Sequence, residues 1–178
     1  MEPNAKSALQ PALAHEAPLL ANLFELYAHD LSAAFELGIG ADGRFGSPKL
    51  ASYWREPDRH FPFLIRVGTE LAGFVLATRG SPATSDPDDL DVAEFFVLRR
   101  HRRAGVGAAV ACALWDRLPG HWIVRVAERN AGALPFWTRV VTDYTRGRFT
   151  RALATVGGKP WTVFAFDAPG ARAGITRP

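Results

Sequence analysis

Between Glu94 and Gly107 the chain reads Glu-Phe-Phe-Val-Leu-Arg-Arg-His-Arg-Arg-Ala-Gly-Val-Gly, an apolar run, then a basic run, then a Gly-x-Gly ahead of an alanine-rich stretch. A strand, a loop and a helix in that order predict an anion site. The N-terminus of a helix carries unpaired backbone N–H groups and the positive end of the macrodipole. Gly105 and Gly107 let the backbone approach a phosphate with no Cβ between. Arg102 and Arg103 add forked donors that match phosphate oxygens. Residues Arg102, Arg103, Ala104, Gly105, Val106 and Gly107 together read as a diphosphate cradle. For Arg99 and Arg100 a solvated basic turn is the lesser, rival reading.

A second motif lies further along: Asn130-Ala131-Gly132-Ala133-Leu134-Pro135-Phe136-Trp137. The two motifs, in this order and one helix and one strand apart, resemble those of the GNAT (Gcn5-related) N-acetyltransferase superfamily. The similarity is greatest to bacterial members with Glu-Phe-Phe-Val before the loop and Phe-Trp in the second motif. The resemblance implies an α/β (α+β) fold with one mixed, mostly antiparallel central sheet, splayed parallel strands and helices on both faces. It implies acetyl-CoA as cosubstrate, its pyrophosphate on the cradle, and direct acetyl transfer to a primary amine of a small molecule or peptide. A degenerate domain that binds CoA without turnover, as a regulator, is the alternative.

Three chemical needs then select residues. A neutral amine requires a base, and the resemblance implies a carboxylate at the position of Glu94. A carboxylate in an apolar strand has a raised pKa, which suits that task. Glu94 could also pair with an arginine or anchor the substrate. The resemblance implies that the backbone N–H at Val97 polarises the thioester carbonyl as an oxyanion donor does. It also implies a tyrosine acid directly after Phe136, where this chain has Trp137, whose indole has no useful acid proton. Tyr144 is the substitute, with a core or hairpin role as its rival. Asn130 could cap a helix and bond the pantetheine arm, and Phe136 could pack on that arm or in the core. The resemblance places Tyr27 and Tyr53 in regions that line acceptor sites, and packing is the favoured reading of both.

The elements that must position these groups emerge from periodicity. Ser7 to Leu13 reads as a short strand interrupted by Pro11. Leu20, Leu23, Phe24, Tyr27, Leu31 and Ala34 recur at helical spacing after Pro18, with Gly38 as the stop. Gly38 to Gly43 matches Gly-x-Gly-x-x-Gly, but no strand precedes it and no helix opens within it, so it is a loop. Lys49 to Trp54 reads as a short helix. Strands are predicted over 63–67, 71–78, 90–98 and 122–127, with a closing hairpin of 148–156 and 161–167 across Gly157-Gly158. Helices are predicted over 106–118 and through Phe136, where Pro135 should kink or shorten the second. The splayed parallel pair would be 90–98 and 122–127.

The 178 residues are 48% apolar and 22% charged with a net charge of +3, which fits one globular domain over 1–170 and a frayed tail at 171–178. One cysteine excludes an internal disulfide, and Cys112 reads as a buried thiol. Histidines show no metal-ligand spacing, so no metal is expected. No signal pattern or spanning run is present, which points to a cytoplasmic protein with no membrane partner. The arginine block suits nucleic acid electrostatically, but such a partner explains neither the paired glycines nor Asn130, and none is expected. The resemblance leaves a homodimer open.

Overall fold

The computed structural model describes residues 7–46, 50–130 and 132–169. The predicted tail at 171–178, Lys49 and the motif's Ala131 lie outside them. Seven strands form one sheet: β1 (Ser7–Pro11), β2 (His60–Val67), β3 (Glu70–Arg79), β4 (Leu90–Val97), β5 (Gly120–Ala127), β6 (Thr150–Val156) and β7 (Lys159–Ala168). Their spatial order is β1-β2-β3-β4-β5-β7-β6. Every neighbouring pair is antiparallel except β4 and β5. That pair is parallel, and its pairing is confined to Leu90 with Trp122 and Asp91 with Ile123. Beyond Asp91 the strands part, as the resemblance implies.

Helices α1 (Ala17–Phe35) and α2 (Ser52–Arg55) cover one face of the sheet, and α3 (Val106–Arg117) and α4 (Leu134–Thr145) cover the other. Burial divides accordingly. Leu20, Leu23, Phe74, Leu76 and Phe96 form the core under α1, whereas Val92, Val97, Val110, Leu114, Trp115 and Val141 belong to the core under α3 and α4. Both clusters draw residues from β4, so this strand is covered twice, as its continuous apolar run requires.

Helix boundaries show where local chemistry decides. Pro18 occupies the first turn of α1, where its missing N–H costs nothing. The helix stops before Gly38: Glu36 takes the left-handed conformation at φ 54°, its N–H bonded to the Ser32 carbonyl. Pro135 neither kinks nor shortens α4, because the helix begins at Leu134 and proline falls in its first turn. Asn130 does not cap it; Ala133 holds the N-cap position with no side-chain bond. Asn130 instead closes the turn before it, its backbone carbonyl accepting from the Ala133 N–H at 2.9 Å. The last hairpin turns at Gly157 (φ 58°) and Gly158 (φ 74°), the double positive φ of a tight two-residue connection. Among the described residues no helix is long and apolar enough to cross a membrane.

Candidate active site

An irregularity in β4 determines where its side chains go. Opposite β3, Leu76 pairs with Glu94 and Ala77 with Val92, so Ala93 is a bulged residue without a partner. An extra residue reverses the alternation of a strand and re-aims the side chains beyond it. Val92 therefore faces α3, while Glu94, two residues on, faces α1 together with Phe96.

On the α1 side Glu94 meets Tyr27, whose phenol donates to Glu94 Oε2 at 2.6 Å. Burial pushes the Glu94 carboxyl above its ordinary value, against the bond from Tyr27 and the charge of Arg125, with Asp91 adding to the rise. Burial, then the Glu94 charge, raises the Tyr27 phenol well above its usual range, so the shared proton stays on tyrosine. Beneath them Arg125 grips Asp91 with two bonds of 2.7 Å, Nε to Oδ2 and Nη2 to Oδ1. Asp91 is 0% exposed and Arg125 12%. Ser81 donates to the same carboxylate, and the guanidinium lies 5.2 Å from the centre of the Trp161 ring.

The cradle sits on the other face. Gly105, at φ 79°, is the N-cap of α3. Among the described residues the backbone N–H groups of residues 103–108 have no acceptor. That row of free donors at a helix N-terminus fits a phosphate group. Gly107 serves packing as much as approach: a Cβ there would lie 3.1 Å from Phe136 Cζ. Arg102 is engaged within the protein, Nε donating to the Val97 carbonyl at 2.6 Å and Nη2 to Asp30. Arg99 also reaches Asp30, at 2.7 Å. Burial works to raise the Asp30 carboxyl, but the bonds from Arg102 and Arg99 hold it below the usual carboxylate range. Arg103 makes no ion pair or hydrogen bond among the described residues and remains available to an anion.

A cleft of about 1040 Å³ joins the two faces through the gap between β4 and β5. It brings together Glu94, Val97, Arg102, Arg103, Gly105, Gly107, Asn130 and Phe136. Phe136 stands at its wall against Phe95 and Trp137. Ala104 and Val106 belong to the same loop and helix start, with Val106 turned into the core. Tyr144 is not brought to the cleft. Its hydroxyl donates to Asp116 on α3 at 2.9 Å and its ring packs on Trp115 and Phe166. Burial and the Asp116 bond raise its pKa, the opposite of what an acid needs. Trp137 is buried core. Sequence reasoning missed the partners Tyr27, Asp91 and Arg125. For Asp91 and Arg125 the signal in the sequence is a charged residue in an apolar strand, Tyr27 sits on the apolar stripe of α1, and no local spacing reveals who pairs with whom. Among the described residues no cluster of His, Cys, Asp or Glu is arranged to hold a metal.

Comparison with known proteins places this geometry. Residues 21–141 match the model of the acetyltransferase (GNAT) family. An acetyltransferase from Thermus thermophilus superposes with a TM-score of 0.67 at 19% identity, over 91% of this chain and 97% of that one. The spermidine N-acetyltransferase from Vibrio cholerae, in complex with CoA and spermine, gives 0.62 at 13% identity over 93% and 97%. The Salmonella typhimurium protein yncA, with its cofactor acetyl-CoA, gives 0.60 at 12% identity over 98% and 100%. No curated protein sequence matches.

Proposed function

The chain belongs to the acetyltransferase (GNAT) family, and from that premise we propose that it transfers acetyl from acetyl-CoA directly to the primary amine of a small molecule or peptide. The observation that carries this reading is the continuous cleft, with free N–H donors at one mouth and a buried carboxylate at the other. The backbone N–H groups of residues 103–108, with Arg103, hold the pyrophosphate. Phe136 and the Asn130 amide line the path of the pantetheine arm through the gap between β4 and β5. Acetyl-CoA supplies the thioester, whose carbonyl carbon gains a bond to the amine nitrogen as its bond to sulfur breaks.

Glu94 takes the proton that the ammonium must lose before its nitrogen can attack. Its raised pKa brings it toward that task near neutral pH. Tyr27, bonded to one carboxylate oxygen, holds the other toward the cleft as a positioning residue. Val97 lies at the cleft wall, where its strand backbone polarises the carbonyl. The leaving sulfur departs as a thiolate whose conjugate acid has a pKa of about 8.5 by analogy with free cysteine, and it takes up the second proton that the nitrogen sheds on becoming an amide, so a dedicated acid is not obligatory.

The test is thiol release from acetyl-CoA with a panel of amines, for the wild type and Glu94→Gln. Loss of a general base is expected to lower kcat by about 10²–10⁴ while the affinity for acetyl-CoA stays. Unchanged rates across pH would remove Glu94 from the role. CoA binding with no thiol release from any amine would favour the regulatory alternative.

A further inference from the structure

The cleft reaches the α1 face at Glu94, so the acceptor must dock between α1 and the strands that part beneath it. This rests on the proposed transfer reaction and deepens it. The wall there is apolar. Phe24, Leu31 and Phe35 of α1 line it, and Trp161 of β7 stands opposite. Phe24 is held in place by contacts with the Tyr27 and Phe74 rings, at 5.6 and 6.0 Å.

The charges at the lining are equally selective. Among the described residues Asp30 and Glu94 are its only carboxylates, against five arginines: Arg99, Arg102, Arg103, Arg125 and Arg139. Asp30 is engaged by Arg99 and Arg102. Two nearby acids are engaged as well. Glu25 accepts the backbone N–H groups of Phe45 and Gly46 at 2.8 and 2.9 Å, and Asp91 is held by Arg125. One carboxylate, Glu94, is therefore left for the acceptor, and it can answer one ammonium. A second cation on the same molecule would find no free anion at the lining, because Asp30 is shared by Arg99 and Arg102 and the nearby Asp91 is held by Arg125.

We propose that the acceptor is a small monoamine on an apolar body, aryl or alkyl, and not a polyamine or an aminoglycoside. Phe24, Leu31, Phe35 and Trp161 take the body, and Glu94 takes the ammonium. A pocket of this kind discriminates through unpaired charge more than through shape, because a desolvated cation without a partner is costly.

Calorimetric titration of 2-phenylethylamine and of spermidine into the CoA-saturated protein at pH 8 tests the class without requiring turnover. The aromatic amine is expected to bind at least tenfold more tightly. Leu31→Asp, a half-buried position at the wall, should erase that preference while the thermal stabilisation by acetyl-CoA persists. Spermidine binding as tightly or more tightly, or neither amine binding, overturns the proposal. Thiol release measured in parallel keeps the two readings apart. Phenylethylamine that binds but releases no thiol defeats the transfer reading alone, and faster release with spermidine defeats the acceptor class alone.

Discussion

Glu94 and Tyr27 are 67 positions apart in the chain, and their 2.6 Å bond is made only because α1 lies across the bulge of β4. Removing the phenolic oxygen isolates its effect. In Tyr27→Phe the carboxylate loses a donor that favours its ionised form, so its pKa, already raised by burial, rises further. A base works deprotonated, so the acidic limb of the pH profile of kcat/KM should move to higher pH. The loss should be largest at low pH and shrink as pH increases. A role for Tyr27 confined to packing would lower stability and leave the profile in place. Tyr144 gives the opposite expectation. Its hydroxyl is bonded to Asp116 away from the cleft, so Tyr144→Phe should keep kcat within about twofold and lose about 0.5–1.5 kcal/mol of stability. A fall in kcat of tenfold or more, with the melting temperature intact, would return Tyr144 to the chemistry.

At the scale of elements, the gap that admits the substrate must be kept open without letting the sheet come apart. The backbone ladder between β4 and β5 ends at Asp91 and Ile123, and at that point a side-chain bridge from Asp91 to Arg125 takes over. Breaking a buried pair leaves one charge uncompensated, at a cost of about 3–5 kcal/mol, whereas replacing both partners by apolar groups is often neutral. Asp91→Leu should therefore lower stability by several kcal/mol, and adding Arg125→Met should restore most of it. A double-mutant cycle in urea measures this; additive losses would mean that the bridge does not hold the strands. The same contrast explains what could be read from the sequence. The cradle, the hairpin across Gly157-Gly158 and the apolar β4 are local patterns, and each is legible from its own residues. Three other outcomes depend on tertiary placement: the bulge at Ala93, the engagement of Arg102 by Asp30, and the Asp91–Arg125 bridge. The start of α4 at Leu134 escapes the sequence for a nearer reason, since Asn130 and Pro135 each suit a helix start and only one can mark it.

For the molecule as a whole, the sheet is a partition with a passage through it, and the arginines around its cradle end, in a protein of net charge +3, favour an anionic cosubstrate there. Binding at the cradle should therefore stabilise the entire fold, since only the folded chain presents the row of N–H donors at the head of α3. Ligand at 100 times its Kd adds about 2.7 kcal/mol, which for a chain of this length raises Tm by roughly 5–10 °C. Two variants separate the causes of such a shift. Gly107→Glu should abolish it, but its Cβ would also press on Phe136, 3.1 Å away, and disturb α4. Arg103→Ala removes an exposed side chain with no intramolecular bond among the described residues, so it should leave the free protein's Tm unchanged and shrink only the shift produced by acetyl-CoA. The residual shift should fall as salt is added, because the interaction is with charges near the surface and is screened beyond a Debye length of about 8–10 Å at ordinary ionic strength. No shift with millimolar acetyl-CoA in the wild type would sink the assignment of the cradle. A full shift retained in Arg103→Ala would leave the backbone donors of residues 103–108 to hold the pyrophosphate without that side chain.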